Sequence, residues 1–132
     1  MSAAAWPLQQ AVFGAVRTAL QSAPAVPVYD DVPAGAAEPY VVIGDMTAIP
    51  GDTVADRDEN VTLTLHIWSV YRGRKEVREI TGRIKTALHH ARLTVTGWHL
   101  TDLRQEMAED FLDADGVTRH GVIRYRARLS PA

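Results

Sequence analysis

The spacing of apolar residues changes from two to between three and four within residues 60–89, and this change constrains the fold more than any other feature. Before Gly73, apolar and polar residues alternate, which is typical of a strand with one buried face. The apolar strand positions are Val61, Leu63, Leu65 and Ile67. After Gly73, apolar residues recur at helical spacing, at Val77, Ile80, Ile84, Leu88 and Ala91. The segment therefore predicts a strand that leads directly into an amphipathic helix able to cover it.

Other elements are predicted on the N-terminal side of this strand and helix unit, which spans about 60–91. A helix is expected over about 7–22, because proline suits a first helical turn and an apolar stripe follows it. Short apolar strands are expected over 26–29 and 40–43. The polar stretch over 50–59 is expected to be an exposed loop.

Several segments of this pattern carry a resemblance to a known family. The 40–43 strand ends at Gly44-Asp45, the next strand ends at Trp68-Ser69, and the helix after it closes on Ala87-Leu88-His89. A final strand reads HGVIRYR over 120–126. In order and spacing, from about Ala25 onward, these features resemble the small tail-completion or tail-terminator proteins of long-tailed bacteriophages and phage-like gene transfer agents.

The resemblance implies a structural virion protein with no enzymatic activity. Copies would form a ring, expected to be a hexamer, that caps the last ring of the tail tube, stops its elongation and offers a docking face to the head connector. The implied partners are the chain itself, the tail-tube protein and the head-tail connector protein, with DNA passing through the ring lumen as a further candidate. The implied location is the neck region of the virion tail, after assembly in the host cytoplasm.

Residues 93–112 allow two interpretations. Residues 93–96 alternate like a strand that ends at Gly97, whereas Leu100, Leu103, Met107 and Phe111 have the spacing of a helix. The Asp-Gly step before Val117 indicates a hairpin, and the resemblance also implies a strand here. We therefore predict a C-terminal hairpin over about 98–129. The predicted fold is α+β, a single domain over 1–132 with a largely antiparallel sheet and two helices packed against it.

Charge is arranged in blocks of alternating sign although the net charge is only −2. Residues 22–60 carry a net charge of −7 and residues 61–92 carry +5. These blocks either neutralise one another inside one fold or give the subunit one acidic and one basic side. The second arrangement suits head-to-tail contacts, which close into a ring when the rotation allows.

Arginines dominate one face of the predicted final strand, because Arg124, Arg126 and Arg128 alternate with apolar residues. They are expected either to pair with acidic residues across the hairpin, at Asp102, Glu106 or Asp110, or to meet an acidic subunit or DNA phosphates. Including the exposed loop and the start of the second helix, the candidate contact residues are Asp52, Asp56, Arg57, Asp58, Arg72, Arg74, Arg124, Arg126 and Arg128.

Enzyme chemistry finds little support in the sequence. The absence of cysteine excludes thiolate catalysis, thiolate metal sites and disulfides. The five histidines lack HExxH spacing, and Val61 replaces the glycine that a calcium loop starting at Asp56 would need. No cofactor, metal or small-molecule substrate is expected. No apolar stretch approaches the ~20 residues of a membrane helix, so a soluble protein without a membrane partner is expected.

Two alternatives to the tail-terminator role stay open. The first keeps the virion setting and makes the chain a head-tail connector or neck protein. The second is a small-ligand-binding or enzymatic α+β domain in which Trp68, Trp98 and His66 line a pocket.

Overall fold

The computed structural model describes residues 3–51 and 57–132, and within them two helices and five strands follow one another. In chain order they are α1 (Ala5–Leu20), β1 (Val28–Tyr29), β2 (Tyr40–Pro50), β3 (Glu59–Ser69), α2 (Lys75–Leu88), β4 (Trp98–Leu112) and β5 (Arg119–Pro131).

The strands form one sheet in the order β1-β2-β3-β5-β4. β1 pairs with β2 in parallel, and every other neighbouring pair is antiparallel. Buried apolar residues of the strands and of both helices form a single core cluster. Both helices therefore cover one face of the sheet, and the opposite side is called the outer face below. The predicted α+β class is confirmed.

The central strand and helix form as their apolar spacing predicts. Every second residue of β3, from Val61 to Ser69, is buried, and the residues between them are half-buried on the outer face. α2 buries Val77, Ile80, Ile84 and Leu88 against that strand and β5. A fully buried leucine or isoleucine contributes about 1.5–3 kcal/mol. These two elements therefore supply much of the core.

α1 begins and ends two residues earlier than predicted. It buries Leu8, Val12, Val16 and Leu20, which are four residues apart and form one stripe. Pro7 lies within the first turn, where a missing N–H costs nothing. The helix ends before Pro24, because proline disfavours helical backbone in the residue before it.

β4 is a strand along its whole length, so the hairpin prediction for 98–112 is confirmed. Two bulges, between Leu100 and Asp102 and between Gln105 and Met107, explain the helix-like spacing of its apolar residues. Each bulge adds one residue and so reverses which face the following residues occupy. Leu103 consequently lies on the covered face, while Met107 and Phe111 lie on the outer face beside β5 residues.

Three predicted boundaries were wrong. Residues 93–96 make only an isolated bridge between Val95 and Trp98, because Gly97 turns the chain with a φ of +83°. β1 is shorter than predicted, and β2 continues past Ile43 to Pro50. Pro50 pairs with Glu59, so the connection between β2 and β3 covers only residues 51–58.

Candidate assembly surfaces

The three arginines of β5 lie on the outer face, each about half exposed, while their neighbours in the strand are buried. Arg124 Nε and Arg126 Nε both lie near Glu106, at 3.1 and 2.7 Å. The third, Arg128, contacts Asp58 Oδ2 through its NH2 group at 3.1 Å. Exposed pairs of this kind contribute about 0–1 kcal/mol each.

Pairing across the hairpin is thus confirmed for Glu106 and wrong for the two aspartates. Asp110 pairs in register with Gly121 on the covered face, so its carboxylate meets Arg78 of α2 at 3.0 Å. Asp102 instead contacts Arg104, two residues along its own strand, at 3.2 Å. The outer face therefore carries four guanidinium groups and three carboxylates among the described residues, and the arginines are in excess.

The predicted contact loop is described only in part, because Asp52 and Asp56 lie outside the described residues. Arg57 is exposed, and Asp58 reaches Arg128 as given above. The Gly51 N–H donates to the Asp58 carbonyl oxygen at 2.9 Å, which closes the loop beside β5. The structure thus brings the loop and the end of the arginine stripe together, and this region is called the loop end below.

Arg72 and Arg74 lie at the other end of the sheet, in the connection between β3 and α2. Both are exposed, and neither has an ion pair with a residue of the described ranges. Ser69 pairs with Arg119 and Glu59 pairs with Leu129, so ten residues separate the two ends of the sheet along β5. At ~3.3 Å per residue this is about 33 Å. The predicted contact residues therefore form two separate groups.

Sequence reasoning missed a row of aromatic rings on the outer face at the Ser69 end. In sheet order its members are Tyr29, Tyr40, Trp68, His120 and Phe111. The ring centroids are 5.7 Å apart for the two tyrosines, 3.8 Å for Trp68 and His120, and 4.9 Å for His120 and Phe111. We call these five residues the aromatic row. Its sequence signal was the polar-face position of Trp68, but the pairing that aligns the rings depends on strand order.

A second histidine extends the row. His66 Nδ1 lies 2.8 Å from His120 Nε2, so one ring donates the shared proton and the other accepts it. Burial lowers the pKa of His120, and the nearby His66 lowers it further, while Asp113 and Glu109 act in the opposite direction. The pair therefore favours a state in which at least one imidazole is neutral.

The pocket alternative requires Trp68 and Trp98 to lie near each other, and they do not. Trp68 pairs with His120, whereas Trp98 pairs with Pro131 near the other end of β5. Eleven residues of strand separate these positions, which is about 36 Å. A shared pocket lined by Trp68, Trp98 and His66 is therefore wrong.

Two further searches concern chemistry and membranes. Across residues 3–51 and 57–132, no three histidine, aspartate or glutamate side chains are grouped as metal ligands would be. Within the same ranges neither helix has the length and apolar character that crossing a bilayer requires.

Comparison with known proteins places this fold. The family model described as tail completion protein gp17 matches residues 10–130. The tail completion protein gp17 of Bacillus phage SPP1 is 36% identical over 92 residues, which is 70% of this chain and 68% of that protein.

Two solved structures share the architecture. A chain in the virion of a native gene transfer agent particle superposes with a TM-score of 0.85 at 21% identity, over 98% of this chain and 99% of that chain. The structure of bacteriophage SPP1 gp17 matches with a TM-score of 0.54 at 26% identity, over 100% of this chain and 97% of that one. The chain belongs to the tail completion protein gp17 family.

Proposed function

We propose that this chain is a non-enzymatic structural protein whose copies form a hexameric ring on the last ring of a phage-like tail tube. The observation that carries this proposal is the family match over residues 10–130. The 36% identity to the SPP1 protein, whose name is tail completion protein, supports it. In this role the protein resides in the neck region of the virion tail and is assembled there from the host cytoplasm.

The ring stops elongation by replacing the growing surface of the tube. A tube subunit offers on its upper face the interface that its lower face uses, so addition can continue without limit. A terminator binds the tube end with one face and presents a different face, to which the head connector binds. DNA that enters or leaves the particle passes through the ring lumen.

The separation of charged groups supports a subunit with two different contact faces. The loop end carries Arg57 and Asp58 beside Arg128, and Arg72 and Arg74 lie about 33 Å away along the sheet. Residues that far apart cannot contact the same small interface. The tail-tube protein and the connector protein can therefore bind one subunit at once, one at each end.

Location and copy number in purified particles test this proposal. A small tag at the C-terminus, after Pro131, should be detected by labelling in electron micrographs only where the tail meets the head. Native mass spectrometry of the dissociated neck should give six copies per particle. Copies along the whole tail would contradict termination. A position on the head side of the connector would support the neck-protein alternative instead.

A further inference from the structure

The outer face of the sheet is more apolar than a face in contact with water usually is. Antiparallel sheets covered on one side normally place polar residues on the other. Here the aromatic row crosses all five strands, and its last member, Phe111, is 43% exposed. Val42 and Val122, each half-buried, lie next to the row on β2 and β5. Contiguous exposed apolar surface of this kind marks an interaction site.

The size of the outer face matches an ordinary protein interface. Four long strands at ~4.8 Å spacing and about 33 Å length cover roughly 600 Å². A standard interface buries about 800 Å² per partner. The outer face with its flanking loops is therefore large enough to hold one partner of similar size.

A second apolar surface lies on the opposite layer of the subunit. The outward side of α1 carries Trp6, which is 60% exposed, and the half-buried Phe13. Together with Gln10 and Gly14 they line a shallow cleft, called the α1 cleft below. One copy of the chain thus has two apolar surfaces that face away from each other.

Gly14 gives the α1 cleft a specific shape. Glycine inside a helix weakens it relative to alanine, so its presence needs a reason. A Cβ atom built at Gly14 meets nothing within 4 Å, which means that packing inside the subunit does not require the glycine. Its missing side chain leaves a notch between Trp6 and Phe13 that a side chain from outside can enter.

Charges on the two surfaces have opposite signs. The outer face has an excess of arginine, as described above. Asp30 lines the α1 cleft and accepts a hydrogen bond from Gln9 at 2.9 Å, and the exposed Asp31 follows it. These two carboxylates outnumber Arg17, the one cationic side chain among the described residues that line the cleft. The two surfaces are therefore complementary in charge as well as apolar in character.

We propose that a second copy of this chain occupies the outer face: the aromatic row of one subunit docks on the α1 cleft of the next. Two complementary surfaces on opposite layers give a head-to-tail contact, which repeats until a ring closes, whereas a two-fold dimer would leave one surface of each copy exposed. This contact rests on the proposed ring and specifies which surfaces build it.

Filling the notch tests the contact without disturbing the subunit. Gly14→Gln places a longer side chain in the α1 cleft, and Gly82→Gln is the matched control, because Gly82 is also inside a helix and also has open space at its Cβ. Both variants should melt at or above the temperature of the parent protein, since glutamine favours helices. Only Gly14→Gln should lower the amount of this protein in purified particles, by tenfold or more. Normal incorporation of Gly14→Gln would overturn the proposed contact.

Cross-linking identifies the partner surface directly, because the natural chain contains no cysteine. Particles carrying both Phe111→Cys and Gln10→Cys, treated with a short bis-maleimide, should give a ladder of covalent oligomers up to the full ring. Each single-cysteine variant should stay monomeric. Dimers from Phe111→Cys alone would show a two-fold contact and overturn the inference. Incorporation of the double variant without a ladder would overturn it and leave the proposed function standing, whereas absence of the parent protein from particles would overturn both.

Discussion

At the scale of single residues, the two histidines on the outer face link the sheet to pH. His120 stacks on Trp68 and shares a proton with His66, so its neutral form fits the folded state better than its charged form. Burial is the largest cause of its lowered pKa. In the unfolded chain the same imidazole would titrate near its ordinary pKa of 6.5.

This difference predicts a loss of stability in acid. Since the folded pKa of His120 lies below the unfolded value, the unfolded chain binds more protons as the pH falls through 6.5, and the free energy of unfolding decreases. The stabilisation is present above pH 6.5. His120→Phe keeps an aromatic ring against Trp68 and removes the titration, so its melting temperature should fall less than that of the parent between about pH 7.5 and about pH 5.5. Equal losses in both proteins would contradict this assignment.

Residue positions could be predicted from the sequence where one strand decides them, and not where two elements do. The alternation in β5 placed Arg124, Arg126 and Arg128 on one face correctly. The contact between Asp110 and Arg78 depends on the bulges of β4 and on where α2 crosses the sheet. No pattern within either segment contains that information.

At the scale of elements, one side chain ties the two helices together. Arg83 of α2 donates hydrogen bonds to the carbonyl oxygens of Ala19, Ser22 and Pro24, at 3.1, 3.1 and 2.7 Å. The last carbonyl groups of a helix have no partner within it, and a cation near the C-terminus also interacts favourably with the helix dipole. Arg83 therefore caps α1 from the neighbouring helix.

Removing this cap should destabilise the subunit measurably. Arg83→Met keeps most of the apolar stem and loses all three bonds, which should lower the free energy of unfolding by about 1–3 kcal/mol. Arg78→Met is the control, because it removes only one exposed ion pair and should cost about 1 kcal/mol or less. Urea titrations followed by tryptophan fluorescence measure both. Equal effects of the two substitutions would show that Arg83 is not a structural cap.

Element types could be predicted where apolar spacing is regular, as in β3 and α2. β4 gave mixed signals because its two bulges shift Met107 and Phe111 to the outer face. A bulge moves every later residue by one position, so the spacing imitates a helix although the backbone is extended. The hairpin turn at Asp115 was the more reliable signal. Its carboxylate accepts hydrogen bonds from the Val117 and Thr118 N–H groups, both at 2.8 Å, which fixes the turn locally.

At the scale of the whole molecule, the central claim is that this protein ends tail growth. The subunit has the surfaces that such a role needs: charged groups at two ends of the sheet, and apolar surfaces on opposite layers. Sequence alone could indicate contact residues by charge and exposure. It could not show which of them lie together, because the aromatic row and the two ends arise from the strand order β1-β2-β3-β5-β4.

The distribution of tail lengths in cells that lack this protein tests that claim most directly. Tube subunits would still assemble, but the growing surface would never be replaced and no docking face would form. Electron microscopy of lysates should show unattached tails of irregular and often excessive length beside filled heads without tails. The parent gene supplied in trans should restore joined particles of uniform length, and the Gly82→Gln variant should restore them equally well. Tails of normal length that remain joined to heads in the deletion strain would contradict the terminator role.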